Sequence, residues 1–203
     1  MPKSAERCEE IRAQTREMIL HKSMLYFARN GFAGTKISDL ATYIGIGQGT
    51  IYSYFESKED LFQEIYKLVN YESDIKKLKL LSSLPIPAKK KIHELTNTIL
   101  QQIEEDNDYA GIIVLNTQIL LEQDADYSSS DTTYQSELYK YMTKIVLQGQ
   151  KEGSVVTGNP LKLADYYWGV VYLYALRKLF TTKYEMISSE DLERTLLCKK
   201  EKI

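Results

Sequence analysis

Between Thr35 and Lys58 the chain gathers Thr35, Lys36, Gln48, Gly49, Thr50, Tyr52, Ser53, Tyr54 and Lys58. Most of these are neutral hydrogen-bond formers. The amide of Gln48 donates and accepts at once, which suits adenine N6 and N7. The hydroxyls of Thr35 and Thr50 and the ammonium groups of Lys36 and Lys58 suit phosphate oxygens, and Ser53 suits a base or a phosphate. Phosphate contacts position a protein on a duplex but carry no sequence information. Gly49 has no side chain and lets the backbone approach a partner closely. Catalysis asks instead for a nucleophile with its base, a carboxylate pair or a metal cluster. No such spacing occurs, so neither an enzyme nor a cofactor is expected. Cys8 and Cys198 sit near opposite ends and form no metal-ligand or disulfide pattern. His21 and His93 have no cysteine, histidine or carboxylate partner at metal spacing, so no metal site is expected.

The elements that must position this cluster follow from apolar periodicity. Ile11, Met18, Ile19, Met24, Leu25, Phe27 and Ala28 mark a first helix from near Glu9 to Asn30, closed by Gly31. Thr35 is a candidate N-cap for a second helix that buries Ile37, Leu40, Ala41 and Ile44. Gly45 makes the turn. A short third helix, Gly47 to Phe55, is anchored by Ile46, Ile51 and Phe55. Ser57 caps a fourth, with Asp60 three residues on in a capping-box-like arrangement. Leu61, Phe62, Ile65, Leu68 and Val69 continue it. Two short helices about a tight turn can carry the second of them into the major groove of DNA.

Beyond Tyr71 the pattern changes. Ser82 to Pro87 is a break. Ile92, Leu95, Ile99 and Ile103 mark an amphipathic helix, and Ile112 to Leu121, apolar on nearly all sides, a buried one. Asp124 to Asp131 reads as a polar loop. Tyr134 to Gln148 steps along another helix, ended by Glu152-Gly153. Asn159-Pro160 opens a helix from Leu161 to Phe180 with two apolar faces. Leu161, Ala164, Trp168, Val171, Ala175 and Leu179 lie on one face, and Tyr166, Val170, Leu173 and Phe180 on the other. The second face calls for a partner, and another subunit is the one expected. Ser188 or Ser189 caps a last helix carrying Leu192, Leu196 and Leu197. The lysines at 76, 77, 79 and 89 to 91 read as solvated faces. The chain reads as all-α throughout.

The whole chain narrows the classes further. It has 203 residues and a formal net charge of −2, so any nucleic-acid contact must be local rather than announced by composition. No apolar run reaches the roughly 18 residues of a membrane span, and the polar N-terminus lacks a secretory core. A soluble cytoplasmic protein is expected.

The segment from Ile19 to Phe62 resembles the DNA-binding domain of the tetracycline-repressor-like (TetR) family of transcriptional regulators. Ile19-Leu20, Phe27-Ala28, Gly31-Phe32, Thr35, Leu40-Ala41, Gly45-Ile46, Gly49-Thr50-Ile51-Tyr52, Tyr54-Phe55, Ser57-Lys58-Glu59 and Leu61-Phe62 carry the resemblance. It departs at Gly47, commonly serine, and at Gln48, commonly lysine. The resemblance implies an N-terminal three-helix helix-turn-helix DNA-binding domain over 9–70. A helical regulatory domain for ligand binding and dimerisation follows over 71–203. It further implies that Tyr52 and Tyr54 contact phosphates and that a homodimer forms through the last two helices on a palindromic double-stranded operator. It implies a repressor released by a small apolar or aromatic effector held between C-terminal helices. Tyr134, Tyr141, Trp168 and Tyr172 are candidates to line that site. The alternatives are a helical interaction protein, or a regulator governed by a protein partner.

Overall fold

The computed structural model describes residues 2–69, 72–125 and 133–198. The chain divides into two compact units, Met1–Asn70 and Tyr71–Ile203. Among the described residues both are helical, with one isolated antiparallel bridge between Val155 and Leu197.

The first unit holds α1 (Pro2–Asn30), α2 (Ile37–Ile44), α3 (Gln48–Tyr52) and α4 (Lys58–Val69). Ile19, Phe27, Leu40, Ile51, Phe55, Leu61 and Ile65 are buried together. Each such side chain contributes roughly 1.5–3 kcal/mol on leaving water. Phe27, Phe32 and Phe62 pack as a ring cluster with centroids 4.3–5.6 Å apart. α1 begins well before Glu9, because nothing from Lys3 onward breaks a helix and proline is tolerated in the first turn. Ile11, 54% exposed, therefore lies outside the apolar stripe. α2 ends where Gly45 adopts φ +86°, its N–H reaching Ala41 O at 2.9 Å. α3 stops at Tyr52, short of Phe55, while Ile46 is only half-buried. Ser57 Oγ accepts from Asp60 N at 3.0 Å, and Asp60 Oδ2 accepts from Glu56 N at 2.9 Å. The expected capping box forms, displaced by one residue on its return bond. The side chains of Leu68 and Val69 lie outside the described residues.

The second unit contains α5 (Glu72–Ser83), α6 (Ala88–Glu105), α7 (Asn107–Ala125), α8 (Glu137–Lys151), α9 (Pro160–Phe180) and α10 (Ser189–Glu193). Ile92, Ile103, Val114, Met142, Ile145, Tyr167, Val171 and Ala175 form its core. Asn159 Oδ1 caps α9 by accepting from Leu161 N and Lys162 N at 3.0 and 3.3 Å. Gly149 lets the turn after α8 close, because a Cβ there would stand 2.2 Å from Val155 Cγ2.

Three expectations change here, and a fourth falls largely on residues outside those described. α7 is buried at Val114 and Leu115, but Leu121 is 54% exposed, so the helix is not enclosed along its length. Of the polar loop from Asp124, residues 126–131 lie outside the described residues. Lys91 is not solvated. It is 1% exposed, and its ammonium donates to Ser82 O at 2.9 Å and to Gln148 Oε1 at 2.8 Å. His93 does have a carboxylate partner, Glu193, 2.8 Å away and distant in sequence.

α10 is also too short to offer a long face, and Leu192 and Leu196 are already buried. Val156 N donates to Leu196 O at 2.8 Å, holding the segment down. Of the last two helices only α9 keeps an uncovered apolar row. Tyr166, Leu173 and Phe180 are 60%, 43% and 55% exposed.

Candidate nucleic-acid interface

Ile51 anchors α3 by its buried side chain, which turns the rest of this one-turn helix outward. Gln48, Gly49, Tyr52 and Ser53 are exposed, and Thr50 is half-buried. A Cβ added at Gly49 would meet nothing within 4 Å. Glycine inside a helix costs roughly 0.5–1 kcal/mol against alanine, and nothing within the fold calls for it here. Gly47 is the N-cap and supplies no side-chain acceptor. Gln48 and Gly49 N–H thus have no side-chain cap, while Thr50 N donates to Gly47 O at 2.9 Å. Ser53 Oγ donates to Thr50 O at 2.7 Å and retains its acceptor lone pairs. Tyr54 is half-buried, with the Arg12 guanidinium 5.7 Å from its ring centroid.

Lys36 precedes α2 as its N-cap and is exposed. Thr35, expected in that place, is 5% exposed, and its hydroxyl donates inward to Gly31 O at 2.6 Å. It closes the loop after α1 and presents no hydroxyl to a phosphate. Lys58 is also redirected. Its ammonium donates to Phe32 O and Thr35 O, both at 3.1 Å, and lies 4.4 Å from the Phe32 ring centroid. Lys22 likewise donates to Ile44 O at 3.1 Å, at the end of α2. Sequence reasoning missed Arg12, Arg16 and Lys22, since their partners, two rings, the Glu64 carboxylate and the Ile44 carbonyl, are brought near only by folding.

The four aromatic candidates in the second unit do not share partners. Tyr134 donates to Asp165 Oδ2 at 3.0 Å and accepts from Lys162 at 2.9 Å. Tyr141 is buried and donates to Glu137 Oε1 at 2.9 Å. The hydroxyls of both are thus bonded within the fold. Trp168 packs edge-on against Tyr167 at 5.0 Å, and its indole N–H is buried without a hydrogen-bond partner. Burial raises the pKa of Tyr172. None of the four lines the open cleft of about 600 Å³ between α6 and residues 185–189. Tyr167, not anticipated, is fully buried with its hydroxyl 3.2 Å from Thr96 Oγ1.

Residues 19–65 match the family described as bacterial regulatory proteins, tetR family. Over those residues the chain matches the TetR family. It is similar to the HTH-type transcriptional regulator AcrR of Shigella flexneri, 34% identical over 76 residues. That match covers 37% of this chain and 34% of the relative. The chain thus spans about a third of the length of the curated relatives it matches first. Its fold is that of TetR-family structures. A TetR-family regulator from Agrobacterium tumefaciens aligns at TM-score 0.62 and 17% identity, covering 92% of this chain and 99% of that one. A transcriptional regulator from Saccharomonospora viridis, solved with choline, aligns at TM-score 0.57 and 18% identity, covering 92% and 100%. Among the described residues no helix is long and apolar enough to cross a membrane, and no three ligating side chains cluster for a metal.

Proposed function

We propose that this TetR-family chain is a homodimeric DNA-binding transcriptional regulator, a repressor released from its operator by a small apolar or aromatic ligand. The observation that carries the reading is the outward row of Gln48, Gly49, Tyr52 and Ser53 on a helix pinned by buried Ile51. In this reading Gln48 reads a base edge. Lys36, Thr50, Tyr52 and Tyr54 hold phosphates, Ser53 meets a base or a phosphate, and Gly49 admits the duplex. Thr35 and Lys58 act one step back, by fixing the loop that leads into α2.

The exposed row Tyr166, Leu173 and Phe180 on α9 supports a second copy as the partner, since an apolar row of this kind lowers its free energy by leaving water. A dimer would set two recognition helices about 34–36 Å apart, one turn of DNA. The ligand belongs to the unit Tyr71–Ile203. The orphan indole N–H of Trp168 favours a ligand that carries an acceptor beside its apolar body.

Selection of duplexes from a random-sequence pool tests the reading. A palindromic site with half-sites one turn apart, bound with steep salt dependence, is expected. No retained duplex at low salt would sink it. A Leu173→Glu variant should sediment as a monomer and bind that site weakly.

A further inference from the structure

Arg16 lies on α1, outside the residues proposed to meet DNA, and its guanidinium joins two elements. Nη2 donates to Glu64 Oε2 on α4 at 2.5 Å. Cζ stands 5.1 Å from the centroid of the Phe55 ring. Phe55 is 2% exposed and closes the recognition segment, its N–H bonded to Ile51 O at 3.0 Å. One turn earlier on α1, Arg12 stacks in the same way on Tyr54. Glu64 is itself held by Lys67 at 2.6 Å. The residues that leave α3 are thus gripped between α1 and α4 by a planar cation whose face and edge are both engaged.

We infer that Arg16 is a positioning residue for operator recognition: through Phe55 and Glu64 it holds α3 in the pose that reads bases. The inference rests on the DNA-binding reading above. A lysine at this site keeps the charge but cannot present a flat face and a forked edge together. With Arg16→Lys, α3 samples other poses, and apparent affinity falls in proportion to the fraction still in the reading pose. Binding to unrelated sequence makes no base contact and keeps the Lys36 phosphate contact off α3, so it depends less on that pose.

The test compares wild type, Arg16→Lys, Glu64→Gln and the double variant. Two duplexes are used across a salt series: the one selected by the wild type and a random-sequence duplex of equal length. Circular dichroism monitors helix content. Arg16→Lys should weaken the selected duplex about fivefold to tenfold and the random one less than about twofold, with the same salt slope. Glu64→Gln should act in the same direction, and the double variant should be no worse than Arg16→Lys, because both release one clamp. Unchanged operator affinity, equal loss on both duplexes, additive losses, or, in an added Arg16→Met variant, a salt slope reduced by about one would each overturn the inference. The last would mark Arg16 as a phosphate contact. If Arg16→Lys loses its helix content, Glu64→Gln alone decides by the same readouts. A wild type that retains no duplex defeats the DNA-binding reading itself, a result distinct from all of these.

Discussion

The two units bury different kinds of polar side chain, small hydroxyls in the first and charged groups as well in the second. Among the described residues of Met1–Asn70 the buried ones are nearly all apolar, Ser23 and Thr35 being the polar exceptions. The hydrogen-bonding residues of α3 stand outside. In Tyr71–Ile203 charged groups are buried too. Ser82, Lys91, Thr96 and Glu193 are buried, and Tyr167 is fully enclosed. An apolar core makes a stiff platform on which surface side chains can change without cost to folding. A polar interior is held by bonds that must each be satisfied, since an unpaired group in a low dielectric is expensive. Stability and recognition should therefore separate in the first unit and not in the second.

The largest test is a core truncation. Phe27 is 0% exposed and packs on the rings of Phe32 and Phe62. Phe27→Ala should cost about 3–5 kcal/mol, measured by urea unfolding. Gln48→Ala should stay within about 0.5 kcal/mol of wild type in the same assay. A large loss of stability from Gln48→Ala would break the separation.

The interior of the second unit gives the next effect. Lys91→Met preserves packing but leaves Ser82 O and Gln148 Oε1 without their donor. A loss of about 1–3 kcal/mol is expected, against less than about 0.5 kcal/mol for the exposed Lys90→Met. Equal effects would mean that the Lys91 bonds add nothing to folding.

Alkaline pH probes the same interior. Burial raises the pKa of Tyr167, and burial, then the nearby Asp74 carboxylate, raises that of Tyr109. The unfolded chain releases these phenolic protons near pH 10, while the folded chain keeps them. Their stabilising contribution is complete below pH 10 and declines as pH rises from there. Lys91 works the other way. Desolvation lowers its pKa, so rising pH relieves its cost until the unfolded lysine titrates near 10.4. Above that value only the tyrosine effect continues, and the melting temperature of wild type should fall while that of Tyr167→Phe falls less. Parallel curves would remove Tyr167 from the account.

The difference between the units also explains what could be read before the structure. The α2-turn-α3 segment was legible because its determinants are local: Gly45 in a left-handed turn, apolar residues at helical spacing, Ser57 and Asp60 within one turn. Lys91 was not legible, since nothing in its neighbourhood distinguishes it from Lys89 and Lys90, and its partner Gln148 is 57 residues away. His93 and Glu193 are 100 residues apart. In the site itself the outward residues of α3 followed from the position of Ile51. The inward turn of Thr35 and Lys58 did not, because their acceptors are backbone carbonyls that carry no side-chain signature.

Recognition on the first unit gives a smaller, positional effect. Gln48→Ala should relax preference at one operator position by about 1–3 kcal/mol, read on a panel of single-substituted duplexes. An unchanged ranking across the panel would leave Gln48 as a solvated amide and shift base reading to Ser53.

The smallest effect separates two lysines that look equivalent in sequence. Lys36 is exposed at the start of α2, whereas Lys58 reaches two carbonyls of the preceding loop. Lys36→Met should lower the slope of log affinity against log salt by about one, because one counterion-releasing contact is lost. Lys58→Met should leave that slope in place and lower affinity for all duplexes alike, since the loop leading into α2 is loosened while no phosphate loses its partner. A reduced slope for Lys58→Met would show that the third N–H of its ammonium also reaches a phosphate. Positioning and contact would then reside in one side chain, and the surface chemistry of the first unit would no longer be independent of the bonds that hold it.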